Sequence, residues 1–599
     1  MQYDKFATMF QRQATKYGNR ICMKYRNYST NKWIPISWNK VNEITHSVAL
    51  AIAELGMKEQ ETIGVFSQNM PEYIYADFAA YENRLITVPI YATSSPLQTQ
   101  YIVDDANIST LFVGEQKQYD TAFSIISRCK SLQHIVIFSK KVKRNAQDNI
   151  SFYFDDFLLH GQNETNEKLV KQRTEEACEE DIACIMYTSG TTGNPKGVIL
   201  LHKSFQAAFR DHDATVPIFD TDISLNFLPL THIFEKAWTY LCLHAGATIC
   251  INLVPQKVQQ AIKEIRPTLM CSVPRFWEKL YAGVQDKINS TTGIKKKFMN
   301  DAIIVGKKVN IDYLRVGKKP PLTLRLRYKM YEKTIYSLLK ETVGLENGRL
   351  FPIGGAKMSP EIHDFVHGVG LPILIGYGLT ESLATVSFTD PMVYSRESVG
   401  FPLPHTQVKI GKENEILLKG DSITPGYYNN AKATAEAIDQ EGWFHTGDSG
   451  YFNEQGELFL TERLKDLFKT SNGKYIAPQS IESLLVVDKY IDQITIIADQ
   501  RKYASALIVP EYSLVKKWAE EHGLGDQTMS ELLINKKILK LFANRIGTLQ
   551  QSLAHYEQIK RFTLLEQPFS MERGEMTNTM KIKRFVIARN YADEINKMY

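Results

Sequence analysis

From about residue 60 to residue 275, short runs rich in Val, Ile, Leu and Phe alternate with longer segments of helical texture. TIGVF, LITVPIY, STLFVG, HIVIFS, ACIMYTSG, SLNFLPL, ATICINL and TLMCSVP read as strands; PEYIYADFAAYEN and SPLQTQYIVDDA read as helices between them. Runs so uniformly apolar need cover on both faces, and parallel neighbours need a crossover of helix length. Together these requirements restrict the chain to an α/β fold with largely parallel sheets. RLFPIGG and PILIGYG continue the pattern. After about residue 395 the runs shorten and alternate, as in QVKIG, EILLKG and GYFNEQGELFLTE, and Asn472–Gly473 offers a tight turn. This predicts a β-rich subdomain of antiparallel strands. The C-terminal residues mix ITIIAD and SALIVP with helical segments, which fits a small α+β domain.

A chain of 599 residues is too long for one core. Its 44% hydrophobic and 23% charged residues describe a folded globular protein, not a disordered one. A formal net charge of +5 is a weak excess at this length and gives no reason to expect nucleic acid as a partner. The opening MQYDKFATMFQRQ has no signal-peptide core, and no apolar run is long enough to span a bilayer. Seven scattered cysteines fit buried free thiols in a reducing cytoplasm, not a disulfide framework or a zinc site. His363 and His367 stand one helical turn apart in EIHDFVHG, but no third ligand accompanies them. The pair reads as helix surface.

Residues 281–345 hold fourteen Lys and Arg against five Asp and Glu, more positive charge than the whole chain carries. GIKKKFMN and LTLRLRYKMYEKTIYSLLK interleave these cations with Leu, Met, Phe and Tyr. Two readings follow: a solvated helical insertion, or a basic amphipathic surface that touches anionic membrane or guides an apolar anionic substrate.

The stretch Tyr187–Val198, YTSGTTGNPKGV, ends an apolar run. Thr188, Ser189, Thr191 and Thr192 supply hydroxyls, Gly190 and Gly193 let backbone amides approach a polyanion, and Lys196 adds a mobile charge. That chemistry suits phosphates. It is not a Walker A loop, because Pro195 stands at the second Gly position and Gly197 follows the lysine where a hydroxyl residue is needed. A magnesium ligand must therefore come from elsewhere in the chain.

The loop resembles the signature loop of the adenylate-forming enzymes: acyl-CoA synthetases, luciferases and peptide-synthetase adenylation domains. Further motifs resembling that family follow in order: Gly354-Gly355-Ala356, GYGLTES at Gly376–Ser382, EGWFHTGDSG at Glu441–Gly450, ERLKDLFKTSNGKYIAPQSIE at Glu462–Glu482, and TNTMKIKR at Thr577–Arg584. LPLTHIFEK at Leu228–Lys236, VPRFWEK at Val273–Lys279, the long basic insertion and EQPFSMERGEMTNTMKIKRF resemble the long-chain fatty acyl-CoA synthetase branch. Met580 stands where many relatives outside that branch have Gly.

The resemblance implies a reaction in two halves. A fatty acid carboxylate attacks the α-phosphorus of ATP, giving acyl-AMP and pyrophosphate; the thiol of CoA then displaces AMP. Lys581, Lys196, Glu381 and Thr380 would be catalytic, with Glu381 as the Mg2+ ligand. The 188–193 loop with Lys196 would hold the β- and γ-phosphates, and Gly355, Ala356, Gly376, Tyr377 and Gly378 would surround the nucleotide. Tyr377 would stack on adenine, Thr380 would touch the α-phosphate, and Asp448 and Arg463 would hold the ribose. His232, Phe234 and Gly354 would meet the acyl substrate. A domain of residues 1–463 would be followed by a mobile domain of residues 464–599, with Lys465 at the hinge and Gly473 and Lys474 on a loop that receives CoA. The enzyme would be cytoplasmic, or peripheral on the inner membrane face. A fatty acyl-AMP ligase that loads an acyl carrier protein shares the same nucleotide motifs and stays open at this point.

Overall fold

The computed structural model describes residues 5–188, 195–463, 468–471, 474–577 and 581–599. Its largest sheet has seven strands in the order Ser151–Tyr153, His134–Ile137, Thr110–Val113, Thr62–Ser67, Ile86–Tyr91, Ile182–Thr188 and Lys196–Leu201. All neighbours are parallel except the last pair. Thr62–Ser67 is buried at every position, as helical cover on both faces demands. Helix Pro96–Asp105 starts where it does because Ser95 and Gln98 form a reciprocal capping box with Pro96 at the first turn.

A second sheet runs Ile223–Asn226, Thr248–Ile251, Ile21–Asn27, Lys32–Ser37, the last two as an antiparallel hairpin that the sequence pattern did not reveal. A third runs Phe351–Ile353, Ile373–Tyr377, Ser387–Phe388, Phe401–Pro402. TLMCSVP, expected as a strand, is instead an extended linker. Isolated bridges at Leu269 and Ser272 tie the second sheet to the third, and Pro274 then opens the Pro274–Ser290 helix. The β-rich subdomain is antiparallel throughout: Gln407–Ile410, Glu415–Lys419, Phe444–Phe452, Leu458–Arg463.

The C-terminal domain has its own core. Ile494, Ile496, Ile508 and Phe542 pack between helices and a sheet of Ile491–Ile497, Ser505–Pro510 and Arg561–Leu564. The basic insertion folds as helices Gly293–Lys307, Leu322–Tyr331 and Ser337–Val343, anchored through Ala302, Val305, Tyr331 and Tyr336.

Two smaller expectations are corrected. All seven cysteines are free, but Cys178 is exposed while the other six are buried. His363 and His367 do not form a helix surface. His363 is buried, the two rings lie 4.6 Å apart, and both pack on Tyr394. Burial and the neighbouring imidazole hold His367 down at about 3. Among the described residues no group of three His, Cys, Asp or Glu is placed to hold a metal, and no helix is long and apolar enough to cross a membrane.

Candidate active site

The strand Ile182–Thr188 delivers the chain to the hydroxyl-rich loop, and Lys196–Leu201 leads it away antiparallel. Ser189, Gly190, Thr191, Thr192 and Gly193 lie outside the described residues. The base of the loop is fixed from three sides. Thr188 Oγ1 donates to the Lys196 carbonyl at 3.5 Å, Tyr101 donates to the Pro195 carbonyl at 3.2 Å, and Tyr187 donates to Asp105 at 2.5 Å.

Segment Thr424–Tyr428 is laced onto the same edge strand. Thr424 Oγ1 donates to the Ile199 carbonyl at 2.7 Å, and the Tyr428 amide donates to the Gly197 carbonyl at 2.7 Å. This places Tyr427, which sequence reasoning missed, between two expected site residues. The Lys196 ammonium lies 4.9 Å from its ring centroid, and its hydroxyl donates to Glu381 Oε1 at 2.8 Å. Burial pushes the Glu381 carboxyl pKa up, and the Tyr427 hydrogen bond opposes that shift.

Glu381 sits on a tight turn. Thr380–Ser382 is a single 3₁₀ turn, followed by Leu383 and Ala384 at φ of +49° and +76°. Such angles strain non-glycine residues and persist only when the surroundings enforce them. Gly378 permits the turn, because a Cβ there would fall 1.8 Å from the Ala384 carbonyl oxygen. Gly378→Ala is therefore expected to cost about 3 kcal/mol and displace Glu381. Denaturant unfolding of the variant checks this, and an unchanged midpoint would refute it.

Asp448 is held from two directions. Tyr377 donates to its Oδ2 at 2.8 Å and Arg463 Nε donates to its Oδ1 at 2.9 Å. The register explains the second contact, since Asp448 and Arg463 are direct cross-strand partners. Each carboxylate oxygen keeps a second lone pair, so a fixed, nearly buried Asp448 retains capacity for two more donors. The Tyr377 ring is buried against Val386, Phe444 and Leu458.

His232 caps the helix Ile233–Ala245, with its Nδ1 accepting the Phe234 amide at 3.2 Å. That bond leaves the ring proton on Nε2, a donor. Burial first, and the charge of Lys581 second, lower its pKa to about 4. The charge of Lys581, on the C-terminal domain, is thus felt at His232. Because His232 stays neutral above about pH 5, turnover between pH 6 and 8 is expected to show no limb from it. A limb near 6.5 that vanishes in His232→Asn would contradict this. Gly354 adjoins the Phe234 ring, 3.5 Å from an added Cβ, and Gly355 has φ of +87°. Ala356 follows on the same exposed turn, and Gly376 lies near the end of the Ile373–Tyr377 strand.

The helix carrying His232 and Phe234 is pinned by a buried pair. Lys236 Nζ lies 2.5 Å from Asp77 Oδ2, and Tyr240 donates to the same oxygen at 2.7 Å. Lys236 and Asp77 lie in mainly apolar helices, Ile233–Ala245 and Pro71–Glu82, where a charged side chain turned inward needs a partner. Of the C-terminal candidates, Lys465 and Gly473 lie outside the described residues. Lys474 is exposed and closes a hairpin with Thr470, each amide donating to the other residue at 2.9 and 3.1 Å.

Two family models match consecutive parts of the chain. One, the AMP-binding enzyme, covers residues 10–428; the other, the AMP-binding enzyme C-terminal domain, covers residues 465–599. Relatives include Long chain acyl-CoA synthetase 6, peroxisomal, of Arabidopsis thaliana, 27% identical across 95% of this chain and 82% of that protein. Long-chain-fatty-acid--CoA ligase FadD15 of Mycobacterium bovis is 26% identical across 96% of this chain and 94% of its own length. Among solved structures, the adenylation domain of a carboxylate reductase from Mycobacterium chelonae superposes with a TM-score of 0.78 at 17% identity, over 100% of this chain and 92% of that one. With one model ending just past Tyr427 and the next beginning just past Arg463, the chain belongs to the AMP-binding enzyme family, main domain and C-terminal domain alike.

Proposed function

We propose that the protein is a long-chain fatty acid:CoA ligase of the AMP-forming type. The observation that supports the reading is that Tyr427 joins Lys196 to Glu381 and that Tyr377 and Arg463 fix Asp448, while the charge of Lys581 acts on His232, in a chain whose relatives are named long-chain acyl-CoA synthetases. ATP lies with its ribose on Asp448 and Arg463, its base near Tyr377, and its β- and γ-phosphates in the 188–193 loop and on Lys196. Thr380 meets the α-phosphate. Glu381 fits a magnesium ligand: a carboxylate steadied through one oxygen by Tyr427 suits a hard cation that takes one or two carboxylates together with substrate phosphates. Magnesium supplies charge neutralisation at the phosphates. His232 Nε2 donates to the fatty acid carboxylate, and the acyl chain runs past Phe234 and Gly354. Lys581 bridges carboxylate and α-phosphate as the two anions meet. The domain boundary falls at residues 463 and 464, with Lys465 as hinge, and Gly473 and Lys474 face the site in the CoA step.

AMP and pyrophosphate release from ATP–Mg2+, across acids from acetate to stearate and with and without CoA, tests the assignment. Supporting data are AMP release that needs CoA and peaks at long chains. Acyl-adenylate formation indifferent to CoA would replace it with the ligase that loads a carrier protein.

The insertion gives the enzyme a place on anionic membrane at its cytoplasmic side. Leu322, Leu326 and Met330 form one stripe along a helix, at 68%, 59% and 41% exposure, and Phe298 and Ile294 continue it on the neighbouring helix. The Phe298 and Tyr331 rings join the two helices edge to face at 5.0 Å. Lys295, Lys296, Lys297, Arg325 and Lys329 flank the stripe. Replacing Lys295–Lys297 with Gln should weaken binding to phosphatidylglycerol vesicles on the order of a hundredfold, at about 1 kcal/mol per lysine, and leave turnover of short acids unchanged. Unchanged vesicle binding would make the insertion plain scaffold.

A further inference from the structure

VPRFWEK is the one branch motif without a task so far. Its first residue, Val273, stands 3.9 Å from the Cβ position of Gly355, and Ser272 accepts the Gly354 amide at 3.3 Å. The motif therefore begins beside Gly354 and Gly355 of the candidate site. Two residues on, Arg275 turns outward at the start of the Pro274–Ser290 helix. Its Nη1 is steadied by Glu278 at 3.2 Å, and its Nη2 donates to both Asp492 Oδ1 at 2.6 Å and the Asp492 carbonyl at 3.1 Å. Asp492 belongs to the first strand of the C-terminal sheet.

From Asp492 a short contact series runs to the catalytic lysine. Gln493 Oε1 accepts the Phe569 amide at 2.7 Å, and its Nε2 lies 3.9 Å from Met576 Sδ. Thr577, next in the chain, clamps Lys581: its amide donates to the Lys581 carbonyl at 2.8 Å, and its Oγ1 accepts the Lys581 amide at 3.0 Å. The Lys581 charge acts on His232, back in the candidate site. A second charged contact across the same junction, Lys489 to Asp286, is 3.8 Å long and exposed, so water screens it.

We infer that Arg275 is a positioning residue: its forked contact with Asp492 holds the C-terminal domain in the orientation where Lys581 faces the acyl carboxylate. The guanidinium suits this task, since its fixed planar donors let Nη2 meet a side-chain and a backbone oxygen of Asp492 while Nη1 stays on Glu278, which a point-charge ammonium would do less specifically. Arg275 touches no reacting atom. It acts on adenylation only, because the contact belongs to the orientation that brings Lys581 to His232. The inference rests on the two-step ligase reading.

The test separates the half-reactions. With palmitate and ATP–Mg2+, Arg275→Ala and Asp492→Ala should each slow single-turnover pyrophosphate release about tenfold with little change in KM for ATP, while palmitoyl-CoA formation from supplied palmitoyl-AMP stays at the unaltered rate. The charge exchange Arg275→Asp with Asp492→Arg should recover most of the loss, which a merely structural role would not allow. Equal loss in both halves, no loss, or an exchange variant no better than the single variants would overturn the inference. Hydrogen–deuterium exchange of peptides containing Thr577 and Lys581 needs no turnover, so it reads the contact even if the intact protein makes no acyl-CoA and the ligase reading falls. Faster exchange in Arg275→Ala supports the positioning role, and unchanged exchange refutes it.

Discussion

Lys581→Ala is expected to slow acyl-adenylate formation about a thousandfold, while CoA thioester formation from supplied acyl-AMP holds within about twofold. The physical ground is charge. A carboxylate approaching the α-phosphate meets a second anion, and Lys581 is the cation whose charge the C-terminal domain brings to bear on His232. His232 cannot substitute, because burial keeps it neutral. Once acyl-AMP exists, the repulsion is gone and the second half proceeds without that ammonium. Pyrophosphate release and thioester formation, measured separately by rapid quench, check the split. A thousandfold loss in both would mean that Lys581 serves the whole cycle or the fold.

Asp448→Ala should raise the KM for ATP on the order of a hundredfold or more, since two hydrogen bonds to a charged acceptor contribute about 1.5–3 kcal/mol each. The alanine also removes the acceptor that the buried Tyr377 hydroxyl holds at 2.8 Å and one that the Arg463 Nε holds at 2.9 Å. Asp448→Asn separates these effects. The amide keeps one acceptor for Tyr377 but turns a donor toward Arg463, so affinity should fall while the fold survives. ATP titration by calorimetry gives the number, and a KM near that of the unaltered enzyme would remove Asp448 from the ribose site.

The parallel sheet was readable because its strands are apolar on both faces, as Thr62–Ser67 shows. The Ile21–Asn27 and Lys32–Ser37 hairpin was not, because it mixes Lys, Arg and Asn with its apolar residues and gives no clean period. TLMCSVP has strand composition but lies between two sheets, and Pro274 diverts it into a helix. At the site, segments that carry dense local chemistry announced themselves. Tyr427 did not, because its contacts to Lys196 and Glu381 arise only when the Thr424–Tyr428 segment is laid along a distant strand. The Arg275 contact joins positions 217 residues apart, beyond any local pattern. His363 was misplaced for a similar reason, since Tyr394 covers it from another part of the chain.

The unequal exposure of the cysteines has a practical consequence. Burial pushes the thiols of Cys129 and Cys250 up to about 12 and Cys184 to about 11, and raises those of Cys22, Cys242 and Cys271 well above the ordinary thiol value, so they hold almost no thiolate and offer no access. Cys178 alone is open to solvent. The native enzyme thus carries a single attachment point for a maleimide dye, on the main domain just ahead of the Ile182–Thr188 strand. One further cysteine engineered on the C-terminal domain would complete a donor–acceptor pair, and the distance between the two domains could be followed through each catalytic cycle without first stripping any thiol from the protein.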